Sequence, residues 1–111
     1  MAHRIKIDRA ICMATIDKSI GSCRYVIIGG GAAGWHAAMA LRRLKPEQPV
    51  ILLDAEAETG YYRTLLPQFM VRRIGEERLF MPRLADDPLL TIRTRARVDA
   101  LDRANRRLFL G

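Results

Sequence analysis

Three glycines constrain the architecture of this chain more tightly than any other feature. Residues 25–44 read YVIIGGGAAGWHAAMALRRL. Tyr25, Val26, Ile27 and Ile28 form a short apolar run with β-branched side chains, the pattern of a strand buried on both faces. Gly29, Gly31 and Gly34 follow with G-x-G-x-x-G spacing. The first allows a tight turn, the second lets backbone approach a pyrophosphate, and the third lets the helix pack closely on the strand. Ala33, Ala37, Leu41 and Leu44 then recur at helical spacing, which predicts a small-residue stripe facing a sheet. Pro46 disfavours helical geometry in the residue before it, so the helix should stop near Lys45. Its N-terminus supplies unpaired N–H groups and partial positive charge, where a diphosphate binds.

A second strand strengthens this reading. After Pro49, Val50 to Leu53 form another buried apolar run, and Asp54 ends it. Asp54 lies about 20 residues beyond the last glycine, where a carboxylate accepts hydrogen bonds from a ribose diol. The same charge repels a 2′-phosphate, so an NADP adenosine is disfavoured. Strand, glycine turn, helix, and a strand ending in Asp together predict a β-α-β dinucleotide-binding unit.

Composition narrows the remaining classes. At 111 residues the chain is one domain or part of one. No apolar run approaches the roughly 20 residues that span a membrane. The first residues mix charges into short apolar pieces and lack the apolar core of a signal peptide. A cytoplasmic protein without a transmembrane segment is the expectation. Cys12 and Cys23 fit no metal or redox spacing and read as two reduced thiols, and no metal site is expected. The net charge of +7 raises nucleic-acid binding. The excess lies in residues 61–111, where the arginines are dispersed. Arg93, Arg95 and Arg97 alternate on an expected strand, the mark of a solvated face, and no recognition helix or stacking aromatics accompany them. Nucleic acid is therefore not an expected partner, although a basic surface suits an acidic protein.

Along the chain, residues 1–23 form an extension of unknown role, without a readable motif. Residues 24–54 form the β-α-β unit. Residues 55–88 read as a loop and short helices, with Leu65, Leu66, Phe69 and Met70 on one apolar face. Glu76 and Glu77 open a second helical piece carrying Leu79 and Phe80. Leu89–Thr94 reads as a third strand beside the second. Arg97–Leu101 and Arg107–Leu110 read as a hairpin turned around Arg103, Ala104 and Asn105. Trp35 is expected to pack over the start of the helix, and His36 to be exposed on it. No catalytic residue is assigned.

The segment DAEAETGYYRTLLPQFM, following the glycine turn, resembles the FAD-binding half of the pyridine nucleotide-disulphide oxidoreductase superfamily. Rubredoxin reductases, ferredoxin reductases and the NADH-binding part of nitrite reductases are the most similar branches. Tyr62, Arg63, Leu65 and Leu66 occupy the positions of their Y-x-R-x-x-L-like segment. The resemblance covers residues 24–111. It implies an α/β fold: a Rossmann-type FAD-binding β-α-β with a third parallel strand and the start of a β-meander, a partial domain. It implies that Gly29, Gly30, Gly31, Ala32, Ala33 and Gly34 wrap the FAD pyrophosphate and that Asp54, with Ala55 beside it, holds the adenosine ribose. Arg63 would neutralise pyrophosphate charge, and Val98 would offer backbone groups to the adenine.

Departures from the family carry information too. Gln68 stands where several relatives place a lysine near the flavin; it could hydrogen-bond a flavin edge but brings no charge. No cysteine follows Cys23, so thiol-disulfide chemistry is not expected. Leu65, Leu66, Pro67 and Gln68 also echo quinone-reducing type II NADH dehydrogenases. The resemblance thus implies the N-terminal FAD-binding portion of an oxidoreductase passing electrons from NAD(P)H, its co-substrate, through flavin to an acceptor. An acceptor protein, or a second polypeptide completing the fold, would be its partner. A stand-alone dinucleotide-binding module and an inactive truncated product are the alternatives. The chain alone is expected to bind FAD weakly, to lack turnover, and to associate through an unpaired hairpin edge.

Overall fold

The computed structural model of the protein describes residues 3–8, 13–16, 22–23, 25–82 and 86–111. Two sheets and one long helix build it. The parallel sheet contains β4 (Tyr25–Ile28), β5 (Val50–Leu53) and β6 (Leu90–Arg93), with β5 in the centre. Tyr25 pairs with Val50 and Val50 with Leu90, so the three strands advance in step and end together. Helix α1 (Ala32–Leu44) makes the crossover between β4 and β5. It stops with Lys45 as its C-cap, ahead of Pro46, as the proline predicts.

Alternation along β5 divides the core in two. Val50 and Leu52 face α1, where they pack with Trp35, Ala38, Met39 and Met81. Ile51 and Leu53 face the other way, against Ala96, Leu108 and Leu110. All four β5 side chains are buried, as a central parallel strand requires. Strand β4, at the edge of this sheet, is only half-buried and Ile28 is exposed, so the expectation of burial on both faces holds for β5 alone.

The inward face of α1 differs from the expected alanine–leucine stripe. Trp35, Ala38, Met39 and Arg42 are buried, and of the expected stripe only Leu41 packs against this core; Ala33 and Ala37 are exposed and Leu44 is 75% exposed. Gly34 sets the rotation. It is the point where helix and strand touch, because a Cβ there would overlap the Gly29 carbonyl oxygen. Residues one turn and two turns beyond it, Ala38 and Arg42, share its face. Trp35 goes into the core and donates its indole N–H to the Pro82 carbonyl at 2.9 Å. His36 is exposed, as expected.

The segment after β5 contains a 3-10 turn at Arg63–Leu65, α2 (Leu66–Met70) and α3 (Glu76–Leu79). Leu65, Leu66 and Phe69 are half-buried, but Met70 is 79% exposed and leaves the expected apolar face. The arginine alternation also ends early. β6 stops at Arg93, Arg95 adopts φ 53°, and exposed Arg97 pairs with Asp99 at 3.2 Å.

The second sheet is antiparallel and contains β7 (Val98–Asp102) and β8 (Arg107–Leu110), the expected hairpin. Its turn is held by Asp102, which accepts from the Asn105 backbone at 3.1 Å and side chain at 2.8 Å. The free edge of β8 is not open. It pairs with β1 (His3–Asp8), which pairs with β2 (Met13–Ile16), and β2 with β3 (Ser22–Cys23). The extension thus supplies three strands to this sheet, in the order β3-β2-β1-β8-β7. The expected association through an unpaired β8 edge is corrected accordingly: His3 faces Leu110 and Ile5 faces Leu108 in register. Cys12, one of the two thiols, lies outside the described residues.

Candidate functional site

The carboxyl ends of β4 and β5 place the glycine turn and Asp54 side by side. Gly29 adopts φ 98°, a conformation that favours glycine, and its N–H donates to the Leu53 carbonyl at 2.7 Å. The turn is therefore pinned to the end of the neighbouring strand. Gly31 is the N-cap of α1 and has no side chain to offer the first-turn amides, and that turn contains no acidic residue. No acidic side chain of the helix's own first turn offsets the positive end of its dipole. A Cβ on Gly31 would meet nothing within 4 Å, so the space in front of this helix end is open.

Loop 54–62 forms the opposite wall. The Gly30 carbonyl accepts from the Gly60 N–H at 3.2 Å and from the Thr59 hydroxyl at 3.4 Å. A side chain on Gly30 would collide with Thr59 and with the Asp54 carboxylate, so the second glycine of the turn is there for close approach of protein to protein. Asp54 uses its backbone to continue the sheet, donating to the Arg93 carbonyl at 2.9 Å and accepting from Ala96 at 2.8 Å. Its Oδ1 accepts from the Glu56 N–H at 3.2 Å. Gly60, at φ 77°, packs against the indole of Trp35, linking the loop to the core.

These elements enclose a cleft of about 320 Å³ lined by Gly29, Gly30, Gly31, Ala32, Asp54, Glu56, Tyr61, Tyr62, Arg63 and Thr64. Six of the residues expected to touch the cofactor meet there, Gly29, Gly30, Gly31, Ala32, Asp54 and Arg63, together with Tyr62 of the arginine segment. The others lie outside the lining. Ala33 and Gly34 are in the first turn of α1 behind it, and Ala55 is exposed beside it. Gln68 is exposed on α2, and Val98 on β7 packs into the core between the sheets. Among the described residues no cluster of His, Cys, Asp or Glu could hold a metal ion, and no helix is long and apolar enough to cross a membrane.

Glu56 and Tyr61 are functional candidates that the sequence reading passed over. Glu56 accepts from the Tyr61 hydroxyl at 2.5 Å and from Arg63 Nη2. The Arg63 guanidinium also stands 5.8 Å from the Tyr61 ring centroid. The hydrogen bond from Tyr61, and then that from Arg63, hold the Glu56 carboxyl below its ordinary pKa, and Glu56 in turn raises that of Tyr61. The only signal was an acid two residues after Asp54 and a Tyr-Tyr-Arg run after it, and no helical or strand period connects the two.

A pyrophosphate fits this arrangement chemically, with open helix amides on one side, a guanidinium on another, and a carboxylate within reach of a ribose. The sequence pattern of the pyridine nucleotide-disulphide oxidoreductases matches residues 23–110. The chain belongs to that family. It is also 34% identical over 89 residues to the ferredoxin–NAD(+) reductase component of the anthranilate 1,2-dioxygenase system of Burkholderia cepacia. That match covers 78% of this chain and 22% of the relative. Among solved structures, reduced CoADR-RHD of Bacillus anthracis superposes with a TM-score of 0.61 at 20% identity. The overlap is 78% of this chain and 18% of that one, and the likeness concerns the fold. The α/β fold expected from the sequence is thus that of the family, and the chain spans well under half the length of either protein.

Proposed function

We propose that this member of the family is the FAD-binding portion of an NAD(P)H-dependent oxidoreductase that delivers electrons to an acceptor protein. The observation that carries the proposal is the meeting of the Gly29–Gly31 turn, the uncapped α1 N-terminus, Asp54 and Arg63 in one cleft. FAD bound there would supply the two-electron and one-electron chemistry that links a nicotinamide to a one-electron carrier. The chain's own residues bind and orient it. The helix amides and Arg63 take the diphosphate oxygens, and Asp54 takes the ribose hydroxyls. An acceptor protein is favoured by the Burkholderia cepacia relative, which is the ferredoxin–NAD(+) reductase component of a dioxygenase system.

Asp54 makes the reading testable through nucleotide choice. Its Oδ1 is engaged by the Glu56 N–H, and Oδ2 lies close to Gly30 without a partner among the described residues. Calorimetric titration of the protein should give tighter binding of FAD and NAD than of NADP. Asp54→Ala should weaken FAD and NAD binding by about 1.5–3 kcal/mol, the range for hydrogen bonds to a charged group. Equal affinities for NAD and NADP in the unmodified protein would contradict this role.

A further inference from the structure

We infer that Glu56 is a positioning residue, holding Arg63 in place for an anionic diphosphate; the inference rests on the dinucleotide reading above. Arg63 opens a short 3-10 turn and its side chain is exposed. An arginine in that setting samples many rotamers, and each must be frozen out when a phosphate is bound. Here three contacts restrict it in advance. Glu56 Oε1 accepts from Arg63 Nη2, Glu56 Oε2 accepts from the Tyr61 hydroxyl at 2.5 Å, and the Tyr61 ring stands 5.8 Å from the guanidinium.

Glu56 is itself fixed at its backbone. Its N–H donates to Asp54 Oδ1 at 3.2 Å and its carbonyl accepts from the Arg95 N–H at 2.9 Å. The residue expected to hold the ribose and the residue expected to hold the phosphates are therefore tied together through Glu56. Only one guanidinium N–H is spent on Glu56, and the remaining donors have no protein partner among the described residues. A fork with free donors and a restricted direction suits a diphosphate.

The Glu56 carboxylate also repels phosphate, so the sign of its effect depends on which influence is larger. The pair is open to water, whose high dielectric constant weakens the repulsion across the cleft. The contact that orients Arg63 is made at hydrogen-bond distance, is directional, and is braced by Tyr61 on the same carboxylate. Orientation therefore dominates, and Glu56 favours binding.

A double-mutant cycle with ADP as the probe tests this. Calorimetry would compare the unmodified chain, Glu56→Ala, Glu56→Gln, Arg63→Ala and the double alanine variant, each checked for folding by circular dichroism. Glu56→Ala should weaken ADP binding about three- to tenfold. Glu56→Gln, which keeps an oxygen acceptor for Arg63, should recover most of that loss. In the Arg63→Ala background, Glu56→Ala should cost nothing further. Tighter binding in Glu56→Ala would show that the carboxylate opposes the ligand, and additive losses would show that it contacts the ligand itself; either overturns the inference alone. Failure of the unmodified chain to bind ADP would overturn the dinucleotide reading and this inference with it.

Discussion

Gly34→Ala should destabilise the protein by about 1–3 kcal/mol, although alanine is the better helix former. Helix propensity alone favours the substitution by about 1 kcal/mol. The steric term opposes it and is larger. The new Cβ would overlap the Gly29 carbonyl oxygen and press on the Gly29 carbonyl carbon at 3.0 Å and Ile27 Cγ2 at 3.3 Å. Two of those three contacts are backbone, so α1 must move away from β4 as a unit. That movement would carry the helix N-terminus away from the cleft, so ADP affinity should fall together with stability. Urea denaturation gives the first quantity and calorimetry the second. A stabilised Gly34→Ala protein would show that helix and strand do not meet at this glycine.

Arg42→Ala should cost about 2–4 kcal/mol, from a side chain that helical periodicity classes as polar. Arg42 is 6% exposed and uses all five of its N–H donors. Nε and Nη2 bind the Asp87 carboxylate at 2.6 and 3.1 Å, Nη1 reaches the Lys45 and Gln48 carbonyls at 3.1 and 2.5 Å, and Nη2 reaches the Pro46 carbonyl at 2.8 Å. The guanidinium thus closes the C-terminal end of α1 and clamps the turn leading to β5 to the loop before β6. Lysine offers a single point of charge and should not rescue the variant.

The same clamp predicts a pH dependence. The hydrogen bond from Arg42, with a further one from the Leu89 N–H, holds the Asp87 carboxyl below its ordinary pKa. A carboxyl lowered in the folded state contributes stability that is fully present above its unfolded pKa, about 3.9. That stability is lost as pH falls through the lowered folded value. Urea midpoints of the unmodified protein should therefore fall with acidification in this range, and Arg42→Ala should show a shallower decline. Parallel pH profiles for the two proteins would remove Asp87 from the account.

The β-α-β unit was legible because every cue in it is local. Apolar runs of β-branched residues, the spacing of Gly29, Gly31 and Gly34, and the positions of Pro46 and Pro49 act within a few residues of the structure they specify. The hairpin turn around Arg103, Ala104 and Asn105 was legible for the same reason, while the part of Asp102 in holding it emerged from the structure. What failed depended on contacts distant in sequence. The inward face of α1 is set by Gly34 meeting Gly29 and by Arg42 finding Asp87, 45 residues away. A count of apolar periodicity chose the face of Ala33 and Leu44 instead. The alternation in HRIKID is consistent with a strand, but its partner β8 lies at the other end of the described chain. Glu56 went unread because its meaning depends on a loop that folds back to bring Tyr61 and Arg63 against it.

The central claim is that a dinucleotide diphosphate sits on the glycine turn, and Gly31 offers its most direct test. Unlike Gly34 and Gly30, Gly31 is not held small by protein, since a Cβ there meets nothing within 4 Å and its φ of −71° suits any residue. The branched side chain of Gly31→Val would instead project into the space assigned to the phosphates. FAD titrated into the unmodified protein and into Gly31→Val, by calorimetry and with urea midpoints measured on the same samples, should bind the first and fail to bind the second. The stabilities should differ by no more than about 1 kcal/mol, the cost of valine in place of glycine at the N-cap. Unchanged FAD affinity in Gly31→Val, at a stability within that margin, would contradict the account.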